Sequence, residues 1–226
     1  MAGRDISTTR LGLASTRIIG CCAIGGEAVG IAAALCKKYA CDPRELAPRV
    51  KELQQLILKE DGFLPGFKNE DEKDLALKAK ITASSWEQGG EPEKVANGIS
   101  RKLGEEQNGW VTKPGECLIM KLDETKEIRE IRLTFESNFA YPIRVTMAPL
   151  RQAQQRNGVP EELIKDVKIE LYREGKKTGE AFVKDNYQRL CSVGIGDVPA
   201  DEIRVIPEST NGAEQAVIHE IRVYAK

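Results

Sequence analysis

The chain has 226 residues, which is enough for one or two domains with a hydrophobic core. Its 34 Lys and Arg residues nearly balance 35 Asp and Glu residues, for a formal net charge of −1, which argues against a general nucleic-acid binder or a polybasic membrane binder. The six cysteines form no C-x-x-C pair and there is one histidine, so neither a Cys/His zinc site nor a disulfide scaffold is expected.

The first 39 residues begin with a segment that has no periodic pattern and continue with a run of small and apolar residues. Residues 2–7 have no secondary-structure pattern, residues 6–19 would form a helix or turn, and a helix is predicted from Glu27 to Tyr39. Glycines at a helix start leave N–H groups open to a ligand, and the helix dipole favours an anion or a carbonyl oxygen there. A small-residue helix packed in a core explains the same pattern. Glu27 and the glycines argue against a membrane span.

A second helix is predicted after a turn. Asp42-Pro43 resembles an N-cap followed by proline at the first helical position, and Pro48 restarts an amphipathic helix over about residues 48–60. Asp61-Gly62 ends this helix. The polar run at residues 66–74 is predicted to be a solvated linker.

Three short motifs at the N-terminus occur in an order known from one family. They are A-G-R-D-I-S at residues 2–7, S-T-R-I-I-G at 15–20 and G-E-A-V-G-I-A-A-A-L at 26–35. Together they resemble the last cofactor-binding segment of bacterial FAD-dependent oxidoreductases of the glutathione-reductase-like superfamily. The resemblance implies that Gly3, Arg4 and Asp5 lie near the ribityl–pyrophosphate part of FAD. It also implies that a helix N-terminus faces the flavin pyrimidine edge through the residues Gly25, Gly26, Glu27 and Ala28.

The dinucleotide fingerprint G-x-G-x-x-G of that superfamily does not occur in this sequence. We therefore expect the chain to be the C-terminal portion of a larger FAD-dependent oxidoreductase, whose N-terminal FAD domain would be its partner. FAD is expected in the parent enzyme and not in this chain alone. The uncovered N-terminal helices should make the chain self-associate, as a homo-oligomer. The sequence is compatible with either the bacterial cytoplasm or the periplasm.

From Leu75 onward, apolar residues recur with the period of two that is typical of β-strands. The alternation predicts strands around residues 75–81, 117–122, 128–135, 167–171, 203–205 and 217–223, with a helical turn at 160–163. The predicted fold class is therefore α+β and multidomain: a helical remnant of the FAD-binding domain over residues 1–65, the linker, and an antiparallel β-sandwich over 75–226.

The second part carries a series of short motifs, I-T-A-S-S at residues 81–85, V-A-N-G at 95–98, G-W-V at 109–111 and H-E-I-R-V-Y at 219–224. In this order they resemble the discoidin or coagulation-factor type C family, a galactose-binding-like jelly roll used by many carbohydrate-binding modules. The resemblance implies binding and not catalysis, and we expect no catalytic residue. It also implies that Trp110 is a core tryptophan.

Sugar sites combine an exposed aromatic platform with a few hydrogen-bonding groups. Trp86 is the predicted platform, and the loop residues Glu87, Arg101 and Asn108 could reach the same end of the sandwich. A structural calcium, as in the family, would use positions Asn97 and Glu220, although asparagine replaces the family's carboxylate. A packing or oligomerisation role is favoured slightly over sugar binding, because the loops are poor in aromatic residues. His219 is predicted to be a packed strand residue.

Overall fold

The computed structural model describes residues 2–141 and 146–226, apart from the side chain of Arg4, and divides the chain into two compact units, residues 1–69 and 70–226. The first unit is helical. After a 3-10 turn at Gly3–Asp5 it contains α1 (Arg10–Thr16) and α2 (Ile19–Tyr39). A second 3-10 turn (Ala47–Arg49) then leads into α3 (Val50–Lys59).

Helix α2 is longer than the sequence predicts, because it begins at Ile19 and not at Glu27. Apolar and small residues fill the extra two turns, and each interior glycine costs about 1 kcal/mol without stopping a helix. Gly25 and Gly26 therefore lie inside α2. The predicted helix N-terminus at residues 25–28 is wrong in this structure, since the open N–H groups belong to the turn that starts at Ile19.

By length and composition alone, α2 could cross a membrane, and only 6% of its most apolar window is buried. Core helices that are mostly buried and signal sequences near an N-terminus pass the same test. Glu27 lies near the middle of the helix. A single helix of this kind is weak support for a membrane span.

Helix α2 ends in a Schellman motif, a backbone turn in which two N–H groups bond back to the last helical carbonyls. Ala40 adopts the left-handed conformation with φ +49°, and its N–H donates to the carbonyl of Lys37 at 3.4 Å. The N–H of Cys41 donates to the carbonyl of Cys36 at 3.0 Å. Alanine at a position that usually carries glycine indicates that the surrounding contacts hold the turn in place.

The helix start predicted at Asp42-Pro43 is wrong, because Asp42 begins a short turn. The backbone N–H of Asp42 donates to the carboxylate of Glu45 at 2.8 Å, and the N–H of Glu45 donates to the Asp42 carbonyl at 2.9 Å. The amphipathic helix predicted over about residues 48–60 is confirmed as α3. It ends where Asp61 takes a φ of +62° and the N–H of Gly62 donates to the Ile57 carbonyl.

Polar contacts hold the end of α2 against α3. The carboxylate of Glu52 accepts hydrogen bonds from the Lys38 ammonium at 2.8 Å and from the Tyr39 hydroxyl at 2.9 Å. The guanidinium carbon of Arg49 lies 3.8 Å from the centroid of the Tyr39 ring, a cation–π distance. These contacts fix the hairpin of the two helices around the turn at residues 40–49.

The second unit is an antiparallel β-sandwich, as predicted. Its strands are β1 (Lys80–Ala83), β2 (Trp110–Thr112), β3 (Leu118–Phe135), β4 (Ile164–Arg173), β5 (Lys176–Val183), β6 (Leu190–Thr210) and β7 (Ala216–Ala225). Their order is β2-β7-β3-β6-β4-β5, with β1 paired to the start of β3. A short helix, α4 (Pro149–Ala153), lies between β3 and β4.

Two long strands connect the layers of the sandwich. The first part of β3 pairs with β1 and with the second half of β6, and its last part pairs with β7 and with the first half of β6. The register shifts between Lys121 and Lys126 and again between Ile128 and Glu130, as β-bulges that bend a strand. The strands predicted separately at 117–122 and 128–135 are thus one bent strand.

Alternating apolar residues build the core between the layers. The side chains of Leu133 in β3, Ile169 in β4, Val205 in β6 and Val223 in β7 are all fully buried. Trp110 is fully buried as well, and its indole N–H donates to the carbonyl of Ser85 at 2.9 Å. The core role predicted for Trp110 is confirmed.

Three details of the β unit differ from the sequence-based prediction. Residues Leu75–Lys78 form a 3-10 turn and not the start of a strand, because the Asp74 carboxylate caps it by accepting from the Ala76 N–H at 3.0 Å. Asp74 also accepts from the Val223 N–H in β7 at 2.9 Å and is almost fully buried. Residues 70–74 are therefore part of the β unit and not a solvated linker. Strand β5 was not predicted, since its mostly exposed residues lack apolar alternation.

Candidate functional site

An open cleft of about 600 Å³ lies where β3 ends and β6 begins. The loop that precedes β2 forms one side, and the segment after β3 forms the other. The residues that carry its chemistry come from separate parts of the sequence: Arg101, Glu136, Asn138, Phe139, Arg189 and His219. The pairing of β3 with β6 and β7 brings them together.

A buried histidine–carboxylate pair forms one side of the cleft. His219 is 1% exposed, and its Nε2 lies 3.1 Å from Oε2 of Glu136. Its Nδ1 forms a hydrogen bond with the backbone carbonyl of Asn108. Since a carbonyl and an ionised carboxylate can only accept, the two hydrogen bonds require a proton on both Nδ1 and Nε2, which is the charged imidazolium form. The ring is thus held at both nitrogens and cannot turn without losing a hydrogen bond.

The close approach of the loop at Gly109 makes the contact with His219 possible. Gly109 has a φ of +136°, and a Cβ there would lie 2.7 Å from the Ile218 carbonyl oxygen and 2.9 Å from the Cα of His219. Only glycine fits this backbone conformation so near to another strand. The loop therefore lies directly against β7, which places the Asn108 carbonyl beside the ring.

The Glu136 carboxylate is stabilised in its ionised form. Its Oε1 accepts from the backbone N–H groups of Ser137 at 2.8 Å and Asn138 at 2.5 Å. Burial raises the pKa of Glu136, but the hydrogen bond and positive charge of His219, with the Asn138 N–H, outweigh it and lower the pKa to about 2. Glu136 thus presents an acceptor at any pH above that value.

An exposed aromatic ring stands at the cleft beside two guanidinium groups. Phe139 is 63% exposed, and its ring centroid lies 4.4 Å from the guanidinium carbon of Arg189 and 5.3 Å from that of Arg101. Arg189 donates to the carbonyl of Phe135 at 2.5 Å and to the carbonyl of Ser100. These bonds fix the guanidinium, so the cation–π contact orients a ring that remains open to a ligand.

A second ion pair supports the rim of the cleft. The Arg156 guanidinium contacts both carboxylate oxygens of Glu162, at 2.6 and 3.2 Å. The Asn138 amide donates to the same carboxylate at 2.7 Å. Arg156 is the main cause of the lowered pKa of Glu162. Asn138, with a φ of +53°, is therefore held by both its backbone and its side chain.

Of the four predicted sugar-binding residues, the structure places one in the cleft. Arg101 lines it, whereas Asn108 is buried behind it and accepts from the Asn97 amide at 2.9 Å. Trp86 is 50% exposed, as a platform would be, but neither it nor Glu87 is among the described residues that line the cleft. His219 is packed, as predicted, but it also contributes to the cleft.

The cleft residues Glu136, Phe139 and Arg189 were missed by sequence analysis. Phe139 lies in a polar stretch directly after a predicted strand, which is a usual place for an exposed binding residue. That position was the available signal. Glu136 and Arg189 have no comparable signal, because charged residues are frequent throughout the chain.

The side chains predicted to hold calcium are engaged with protein donors. Oδ1 of Asn97 accepts from the Ile99 N–H at 2.8 Å, and Oε2 of Glu220 accepts from the Arg222 guanidinium at 2.9 Å. Across residues 2–141 and 146–226, no group of three or more His, Cys, Asp or Glu side chains is placed to hold a metal ion. Hard cations need several oxygen ligands, so these two positions do not fit calcium.

The residues predicted to contact FAD lie close together in the helical unit. A Cβ at Gly25 would lie 4.0 Å from the Cβ of Ala2, so the turn at residues 3–5 is next to α2. A Cβ at Gly26 or at Gly30 would meet nothing within 4 Å. The predicted contact of Arg4 lies outside the described side chains. Gly26 and Gly30 therefore border open space, but the N–H groups of residues 25–28 lie in the helix interior.

Comparison with known proteins agrees with this division into two parts. Residues 1–57 match the family model of FAD dependent oxidoreductases. The match ends within α3 and covers the predicted cofactor-binding segment. A search of curated proteins found no match.

The β unit has the fold of carbohydrate-binding modules. The lectin domain of lectinolysin, solved in complex with Lewis b antigen, aligns with a TM-score of 0.53 at 14% identity, over 69% of this chain and 98% of that one. A fucose binding module of Streptococcus pneumoniae aligns with a TM-score of 0.50 at 13% identity, over 70% and 99%. The family 32 carbohydrate-binding module of Streptococcus pneumoniae EndoD aligns at 0.50 and 14%, over 68% and 99%. These likenesses establish the galactose-binding-like sandwich fold.

Proposed function

We propose that this chain joins part of the cofactor domain of an FAD-dependent oxidoreductase to a sandwich that binds a glycan. The FAD-family match over residues 1–57 supports the first part. The second part rests on one observation, the cleft in which Phe139 stands exposed beside two guanidinium groups, of which that of Arg189 is fixed by hydrogen bonds. An exposed ring stacks on the apolar face of a sugar, while adjacent donors and acceptors bind its hydroxyls.

The cleft offers both kinds of hydrogen-bonding group to a sugar. Arg101 and Arg189 carry N–H donors, and the Glu136 carboxylate is an acceptor. The arginines and lysine that line it are balanced by glutamates, which favours a neutral sugar over an anionic one. A domain that serves only for packing would show a flat apolar surface without a groove. The cleft therefore favours sugar binding over the packing role that the loop composition had favoured slightly.

Glycan binding should depend on Phe139 and not on Trp86. We expect Phe139→Ala to weaken binding of fucose or the Lewis b oligosaccharide at least tenfold, because the stacking surface is lost. Trp86→Ala, at an exposed tryptophan outside the cleft, should leave the affinity unchanged. Titration calorimetry with the full chain measures both, and circular dichroism confirms that each variant is folded.

The reverse result, with affinity lost in Trp86→Ala and kept in Phe139→Ala, would place the sugar on the tryptophan loop and contradict the cleft. Absence of binding to a broad glycan array would instead favour a structural or oligomerisation domain.

The flavin part of the proposal assigns residues 2–39 to one wall of a cofactor site. FAD would supply hydride-transfer chemistry in the parent enzyme. This chain's part would be to bind and orient the cofactor through Gly3, Arg4, Asp5 and residues 25–28. The exposed apolar side chains of this segment, such as Leu11, Ile19 and Ile24, would then be covered by the rest of the cofactor domain.

The chain alone should not bind FAD. Titration of the purified chain with FAD should leave the flavin fluorescence and visible spectrum unchanged, because one wall cannot exclude water from the cofactor. If stoichiometric binding occurs, a Gly26→Val variant shows whether the predicted surface is used. Binding to the wild type would contradict the proposal that the site is incomplete. Light scattering on the same sample reports whether the uncovered helices self-associate.

A further inference from the structure

Two cysteines meet at the end of α2 in a geometry that suits a disulfide. In the Schellman motif around Ala40, the N–H of Cys41 donates to the carbonyl of Cys36 at 3.0 Å. This turn folds the second residue after the helix back over the last helical turn, and the two thiols lie within hydrogen-bonding reach of each other. In most proteins that contact is hydrophobic. Here both positions are cysteines.

The thiol groups of the pair are near each other and accessible. Both residues are partly exposed and both are free cysteines. Burial and the neighbouring Cys36 thiol raise the pKa of Cys41. A disulfide needs Cα atoms about 4.4–6.8 Å apart, and the direct backbone hydrogen bond holds these two residues close to that range.

The other cysteines of the helical unit lack this arrangement. Cys21 and Cys22 are neighbours in the interior of α2, where successive side chains diverge. The thiol of Cys22 donates to the carbonyl of Thr16 at 3.4 Å. They are thus an internal control for reactivity without a facing partner.

We propose that Cys36 and Cys41 form a redox-active dithiol that closes to an intramolecular disulfide on reaction with a low-molecular-weight disulfide such as oxidised glutathione. One thiolate attacks the glutathione disulfide, forming a mixed disulfide and releasing one glutathione thiolate. The second cysteine, as thiolate, attacks the protein sulfur of the mixed disulfide and releases the other glutathione. Two electrons pass from the cysteines to glutathione, and the two thiol protons end on the released glutathione molecules.

The disulfide would lock the turn between α2 and α3. The pair lies next to Tyr39 and Lys38, which hold α3 through Glu52. Oxidation would therefore fix the end of the helix that carries the predicted flavin-facing residues. Because the thiolate is the reacting species, the reaction should become faster as the pH rises towards the raised pKa of Cys41.

Peptide mapping of the full chain tests this proposal. The reduced protein is incubated with oxidised glutathione, remaining thiols are alkylated, and trypsin then separates residues 18–37 from residues 39–44. We expect these peptides to be cross-linked, with the loss of two hydrogen atoms. Since the first peptide also holds Cys21 and Cys22, the double variant Cys21→Ser/Cys22→Ser should keep the cross-link.

Cys36→Ser should abolish the cross-link and leave glutathione on Cys41 instead. Separate, fully alkylated peptides from the oxidised wild type would overturn the proposal. A cross-link that persists in Cys36→Ser would overturn it too, since Cys41 would then be pairing with another cysteine. Circular dichroism of each variant shows whether α2 is retained, so that a lost cross-link is not mistaken for unfolding.

Discussion

Replacing Trp110 with alanine should destabilise the β-sandwich by about 4 kcal/mol, the largest effect expected from a single substitution in this chain. The side chain is fully buried where β2 pairs with β7, and its indole N–H satisfies the Ser85 carbonyl. Alanine would leave a cavity, and the Ser85 carbonyl would keep only the longer hydrogen bond from the Thr112 hydroxyl at 3.4 Å. Urea denaturation monitored by circular dichroism measures the shift of the unfolding midpoint.

The second tryptophan of the chain provides a matched control. Trp86 is 50% exposed, so Trp86→Ala should change the free energy of unfolding by no more than about 0.5 kcal/mol. Equal destabilisation by both substitutions would show that the tryptophan loop is packed and that the core described around Trp110 is wrong.

Replacing Glu136 with alanine should cost about 3 kcal/mol at neutral pH, the second largest effect. The substitution removes the partner of His219 and leaves the N–H groups of Ser137 and Asn138 without their acceptor. Glu136→Gln should cost less, because an amide oxygen can still accept from these N–H groups. Thermal or urea unfolding of the wild type, Glu136→Gln and Glu136→Ala gives the order of their free energies of unfolding.

The loss should also depend on pH in a defined window. The folded pKa of Glu136 is about 2 and lies below the value of about 4.3 typical of an unfolded chain. Its stabilising contribution is therefore complete above about pH 4.3 and disappears as the pH falls towards 2. The stability gap between wild type and Glu136→Ala should narrow over that interval. Glu105→Gln, at a fully exposed rim position, should follow the wild type throughout. A gap that stays constant with pH would contradict the ionised pair.

The parts of the fold that could be predicted are those in which local pattern and tertiary packing agree. Val167, Ile169 and Leu171 alternate because β4 buries one face, and α3 shows the helical period because one face is buried. The start of α2 could not be predicted, because the glycines at 25 and 26 look like a helix boundary. The true first residue, Ile19, has no capping or packing signal in the sequence. Strand β5 pairs with β4 while its side chains stay largely in solvent, so it leaves no alternation.

The cleft was harder to predict because no single segment contains it. The Phe135 N–H donates to the Arg189 carbonyl at 2.9 Å, and the Glu136 N–H donates to the Val217 carbonyl at 3.2 Å. These long-range backbone pairings decide which side chains meet. Arg101 could be proposed from its loop position alone. Phe139 gains its role only through the two guanidinium groups that come from loops far away in sequence.

The position of β7 sets the order in which the sandwich can be completed during synthesis. This strand is the last of the seven in sequence, yet it lies between β2 and β3 in the sheet. Until residues 216–225 have left the ribosome, β2 has no partner strand and one side of β3 is an open edge. His219 arrives with the same strand. The nascent chain thus has both an unpaired strand edge and an unfinished cleft until the final stage of folding, which is when a chaperone would have most to protect.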